Sequence, residues 1–209
     1  MKEFQIVSVE KPLAKPAVLD PLVSLINRIA AMGIALPAKA FALNEAALGE
    51  ILARASKVGL GKRAALLAGL PDAAQKDPAG VARLLHELIA AIEESPLPSA
   101  EWHSMRETFG DEELARLVGV SKASVLRYAG GERVTPDDVA DRLHWLAMVV
   151  ADLAGSYNDV GIRRWFHRPR VPLGGKTPVQ TLHGRWSSDS AGAKRVRELA
   201  RSLTAAGAT

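Results

Sequence analysis

The residues best placed to do chemistry are the cations and hydroxyls of one short stretch, Asp111 to Tyr128, which reads DEELARLVGVSKASVLRY. Leu114, Val118, Val120, Val125 and Tyr128 recur at the spacing by which two short helices pack across a tight turn. Ala115 is small where such helices approach, Gly119 suits the turn, and Ser121 can cap the second helix with its hydroxyl. Lys122, Ser124 and Arg127 fall on the outward face of that helix, and Arg133 follows in the Gly130-Gly131-Glu132-Arg133 loop. The chemistry is recognition of a polyanion. An α-helix fits the DNA major groove, Arg127 suits a guanine edge or a phosphate, Ser121 with the first backbone amides suits a phosphate, and Arg133 can clamp the backbone. The competing reading is a helical hairpin whose Lys122 and Arg127 are merely solvated, with Asp111, Glu112 and Glu113 weakening the local positive field.

Patterns that would support catalysis are incomplete. Gly175-Lys176-Thr177 matches the end of a phosphate-binding loop, but Arg170 stands where the first glycine is needed and no strand precedes it. Gly119 to Ala123 is one residue short of a nucleophile elbow and lies between helices. Ser8 and Lys11 match Ser-x-x-Lys only within an N-terminal arm. The histidines at 86, 103, 144, 167 and 183 show no metal-ligand spacing, and there is no cysteine. The expectation is a protein that is not an enzyme, with no metal, no cofactor and no disulfide, suited to a reducing cytoplasm.

A span of 209 residues suits one large or two small domains. No apolar run approaches the roughly 18 residues that a membrane span needs, and charges and prolines interrupt residues 1–20, so no membrane association or signal peptide is expected. The net charge of +4 is unevenly spread. From Val160 to Ser188, Arg163, Arg164, Arg168, Arg170, Lys176 and Arg185 meet no acid, which points to an anionic partner. All four Trp lie after residue 100.

The elements that must position these residues are helical throughout, and the expected fold class is all-α. Residues 1–19, with Pro12 and Pro16, predict an extended arm with a short strand over Phe4 to Val9. Asp20-Pro21 predicts a cap and first turn, with Gly33 closing that helix. Asn44 predicts a cap for a helix to Gly59. A short helix is expected around Arg63 to Gly69, and another from Asp77-Pro78 to Glu94. Residues 20–94 thus form an alanine-rich helical domain, and 95–99, with two prolines, a linker. Residues 100–154 hold the helix pair and a long helix from Thr135-Pro136 to Ala154. Within that helix Leu143, Leu146, Ala147 and Val150, widened by Trp145, Met148 and Val149, predict either a core element or a dimer interface. Residues 155–209 are a further small domain, with helices near 158–166, 178–183 and 190–206.

The helix pair resembles the helix-turn-helix of the Xre-type repressors. Downstream, Asp141-Arg142-Leu143 is followed by GIRRWFHRPRVPLGGKTPVQTL, Gly161 to Leu182. Taken in order, residues 105–206 resemble the Xre/MbcA/ParS antitoxin family, whose toxin-binding domain has a similar tryptophan, proline, Leu-Gly-Gly and Thr-Pro sequence. The resemblance implies an antitoxin that neutralises a RES-domain toxin, an enzyme acting on NAD or using it for ADP-ribosylation. It also implies repression of its own operon through operator DNA, and homodimerisation fits the paired half-sites that helix-turn-helix proteins read. It carries over Trp165, Pro169, Leu173, Gly174, Gly175, Thr177, Pro178 and Leu182 as the signature of the toxin-binding domain, most of them fold determinants. Toxin contacts are then expected from exposed Arg163, Arg164, Arg168, Arg170 and Lys176, and from Arg195, Arg197 and Arg201 of the last helix. The first hundred residues have no counterpart in short members of that family, which leaves open a stand-alone transcription regulator with an N-terminal sensing or protein-binding domain, or a structural adaptor.

Overall fold

The computed structural model describes residues 4–60, 70–184 and 186–206. These are predominantly helical, with one two-stranded sheet. The chain divides into two compact units, one taking the residues up to Ala30 together with Ile34–Ser95, the other Ala31–Gly33 and the chain from Pro96 onward.

In the N-terminal unit β1 (Gln5–Val9) pairs in parallel with β2 (Ala40–Leu43), joined through α1 (Pro16–Ala31). The unit continues with α2 (Glu45–Ala55), a wider turn over Ser56–Leu60, α3 (Leu70–Lys76) and α4 (Pro78–Glu93). Two expectations need correcting. The unit is not purely helical, because the Phe41 and Leu43 side chains of a four-residue strand are buried while its backbone pairs with β1. Nor do residues 1–19 form an arm throughout, since α1 starts at Pro16 and Pro21 lies inside it. Val18 is fully buried and extends the stripe of Leu22, Leu25, Ile26 and Ile29 by one turn. Burying a valine is worth about 1.5–3 kcal/mol, the same order as the ~3 kcal/mol cost of an interior proline. Gly33 closes the helix as expected, with φ +84° and Ile34 N–H bonded to Ile29 O at 3.2 Å. The helix expected over Arg63 to Gly69 lies outside the described residues.

The C-terminal unit is built on α5 (Pro98–Val118), α6 (Lys122–Ala129) and α7 (Asp137–Ala154). There follow α8 (Asp159–Phe166), a single turn over Val171–Leu173, α9 (Pro178–Thr181) and α10 (Ala191–Ala206). Gly110, with φ 74° and ψ 166°, breaks α5 into two helical segments. Every residue of α7 from Val139 to Leu153 is buried except Asp141, and α5, α8 and α10 pack around it. Leu143 to Val150 is therefore core, and the face expected as a dimer interface is already covered within the chain. The start of α7 is also shifted: Pro136 is its cap, while Thr135 Oγ1 accepts from Trp102 Nε1 at 2.9 Å.

Candidate nucleic-acid interface

The second half of α5 and all of α6 make the helix pair. Leu114, Val118 and Val125 are fully buried, Tyr128 stacks on Trp102 with ring centroids 5.6 Å apart, and Ala115 sits buried at the approach of the two helices. The turn needs a left-handed residue, and Gly119 takes φ 72° and ψ 37° there without a Cβ clash. The N–H groups of Gly119 and Val120 both reach the Ala115 carbonyl, Val120 at 3.0 Å, which ends α5 and frees the chain to re-enter a helix two residues later. Ser121 then caps α6, its Oγ accepting from Ser124 N–H at 3.1 Å.

On the outward face Ser121, Lys122 and Arg127 are exposed and Ser124 is half-exposed, its hydroxyl 2.9 Å from that of Ser121. The Arg127 guanidinium makes no ion pair or hydrogen bond with a described residue. Lys122 Nζ lies 3.0 Å from Glu112 Oε1, and this hydrogen bond lowers the Glu112 carboxyl from its usual value. Arg133 is exposed and holds its guanidinium 5.7 Å from the Tyr128 ring centre, at the edge of the same face. Leu126 is also exposed between these cations and was not singled out from the sequence. The acids before the turn are each occupied. Asp111 takes Arg106 Nε at 2.6 Å and Nη2 at 3.3 Å across the Gly110 break, which holds its carboxyl below the ordinary range and raises the guanidinium. Glu113 Oε1 accepts from His167 Nε2 at 2.8 Å.

Trp186 of the C-terminal segment and Arg142 of α7 lock this pair in place. Trp186 Nε1 donates to Leu117 O at 2.7 Å and Arg142 Nε to Val118 O at 2.8 Å, so the last carbonyls of α5 are met by buried donors. Arg142 also reaches Asp138 Oδ2 at 2.8 Å and Trp186 O at 3.4 Å. Of the expected toxin contacts, Arg163 is not exposed: it is half-buried and donates to Thr108 O at 2.8 Å, a carbonyl near the Gly110 break. Arg197 is likewise half-buried, 3.6 Å from Asp152 Oδ2, with Arg201 Nε at 3.5 Å from the same oxygen. Burying Asp152 demands such counter-charges, so α10 is tied to α7 by ionic contact. Arg170 is half-buried with its guanidinium 5.1 Å from the Trp165 ring centre. Its backbone N–H bonds Lys176 O and its carbonyl accepts from Leu173 and Gly175, each at 3.0 Å, which closes the loop. Gly174 and Gly175 take successive left-handed conformations in that loop, with φ 66° and 78°.

Trp165, Leu173 and Pro178 are buried, as fold determinants would be, and Thr177 with Gln180 forms a reciprocal cap at the start of α9. Arg164, Arg168, Lys176 and Arg195 are exposed, and Arg185 lies outside the described residues. Among the described residues no group of three acid or histidine ligands could hold a metal ion, and no helix is long and apolar enough to cross a membrane. Comparison with protein-family models, with curated proteins and with solved structures finds no match in any of the three. The geometry of the site therefore carries the functional argument together with the sequence resemblance.

The residues that sequence reasoning overlooked are Glu101, Arg142 and Asp152. Each is a buried ionisable group in a helix, where burial favours a hydrophobe. Glu101 Oε1 faces His144 Nδ1 at 2.5 Å, which explains how both are tolerated beside the Trp102 core. The signal available was the interruption of the apolar stripe of α7 by Arg142, His144 and Asp152, which implies partners contributed by other elements.

Proposed function

We propose that this chain is a DNA-binding antitoxin that presents α6 to the major groove of operator DNA and uses its C-terminal segment, 155–209, to bind a RES-domain toxin. The observation that carries the DNA part is the outward face of α6. A capped, eight-residue helix offers Ser121, Lys122, Ser124 and Arg127 to solvent on a turn closed by Gly119, and Arg133 flanks it. Arg127 is free of acidic partners among the described residues, so it can be committed to a base edge or a phosphate. The toxin part rests on the ordered resemblance of Trp165, Pro169, Leu173-Gly174-Gly175 and Thr177-Pro178, together with the exposed Lys176 and Arg195. Reading two half-sites calls for a homodimer, formed through a surface other than Leu143 to Val150. In this reading the chain is not an enzyme and acts in the cytoplasm.

The deciding experiment is co-expression with a RES-domain toxin, combined with binding of duplexes selected from a random-sequence pool. Growth rescue with selective DNA binding supports the reading. Selective DNA binding without rescue or co-purification favours a stand-alone transcription regulator, and failure of both leaves the helix pair a structural hairpin.

A further inference from the structure

We infer that the basic end of α8, Arg164 with Arg168, is a second contact to the DNA backbone that flanks the one made by α6. The inference rests on the reading of α6 as the DNA-reading helix and extends the contact to residues that the resemblance would give to the toxin.

A line of side-chain contacts carries it. Lys122, at the start of α6, is 3.0 Å from Glu112, and the next residue, Glu113, is 2.8 Å from His167 at the end of α8. When a helix-turn-helix docks, the first residues of the second helix reach the bases while the first helix crosses the phosphate backbone. Glu112 and Glu113 stand near the start of that first helix, just past the Gly110 break. The His167 contact therefore holds the end of α8 against the part of the helix pair that crosses phosphates. Arg164 and Arg168 lie on either side of His167 in sequence, both exposed and neither ion-paired with a described residue.

The other charges of this region argue the same way. Asp111, Glu112 and Glu113 would repel phosphates, but each has a cationic or histidine partner in Arg106, Lys122 or His167. Arg163 and Arg170 serve the fold, through the Thr108 carbonyl and the Trp165 ring. Arg164 and Arg168 have no such internal task, and a duplex is an anion long enough to reach them while α6 occupies its groove.

The test measures the salt dependence of binding to one duplex, selected from a random-sequence pool by the wild-type protein, and to a series trimmed from its ends. R164A/R168A should melt as the wild type does, since both side chains are exposed. On the full duplex its log–log salt slope should be shallower by about 2, because each lost phosphate contact removes about 0.9. On duplexes trimmed past the flanking phosphates the wild type and the variant should bind alike. Equal slopes on every duplex overturn the inference while leaving DNA reading by α6 intact, provided K122A/R127A still loses affinity. If R164A/R168A keeps the wild-type slope and instead loses capture of a RES-domain toxin, the basic end belongs to a protein interface and the inference is wrong. Failure of the wild type to enrich any duplex overturns this inference together with the reading on which it rests.

Discussion

Arg142 and Val118 define how the helix pair is held, for the Arg142 Nε–H meets the Val118 carbonyl at 2.8 Å from a side chain buried in α7. The final carbonyls of a helix have no partner within it, and a buried one left unmet costs about 1–3 kcal/mol. Arg142→Met keeps most of the volume and removes the donor. The variant should lose about 1–3 kcal/mol in a denaturant melt, and its DNA affinity should fall because the Gly119 turn depends on that helix end. A melt and affinity indistinguishable from wild type would show that Trp186 alone, through Leu117 O, suffices to close α5.

Ala115 is a packing requirement. It is buried where α5 meets α6, and its carbonyl receives both turn amides. Ala115→Leu should cost about 1–3 kcal/mol through overpacking and should weaken DNA binding by moving α6. Retention of both the melting temperature and the DNA affinity would place the helix contact elsewhere.

Lys122 and Arg127 differ in what they give up to bind DNA. The Arg127 guanidinium is free of partners among the described residues, whereas Lys122 must leave Glu112. K122A/R127A should lower the salt slope of duplex binding by about 1–2 units. Glu112→Gln should act oppositely and raise affinity a few-fold, since an exposed pair is a weak restraint and its loss also removes a negative charge near the phosphates. Weaker binding by Glu112→Gln would mean that the pair orients Lys122 for contact and does not restrain it.

The parts of the fold that the sequence made legible are those encoded in short range. Asn44, Asp77, Ser121 and Asn158 each cap a helix through a side-chain oxygen bonded to an amide three residues on. A cap of this kind is local, so residue type and spacing suffice to find it. β2 was not legible: a four-residue strand of Ala40-Phe41-Ala42-Leu43 gives little period, and its partner lies across a whole helix. The start of α1 was misplaced for a related reason. Asp20-Pro21 has the local form of a helix start, but the burial of Val18 is decided by tertiary packing. In the site, the outward face of α6 followed from helical period. The burial of Arg142 and Asp152 did not, because their partners Val118, Arg197 and Arg201 are remote in sequence.

The Arg106–Asp111 pair spans the Gly110 break and ties the two halves of α5 together. Its hydrogen bond holds the Asp111 carboxyl in the folded chain below the value of about 3.9 it has when unfolded. The folded state thus binds the proton less readily, so this group stabilises the fold fully above that unfolded value. The contribution is lost as pH falls through the lower, folded value. Both side chains are partly exposed, so the effect is modest, and it is best read as a difference between two proteins. Asp111→Asn should be less stable than wild type at neutral pH, and the gap should close on acidification below about pH 4, where wild-type Asp111 also becomes neutral. Urea melts of both proteins across that range measure it. A gap that stays constant from neutral to acid pH would show that Asp111 acts through geometry at the break and not through its charge.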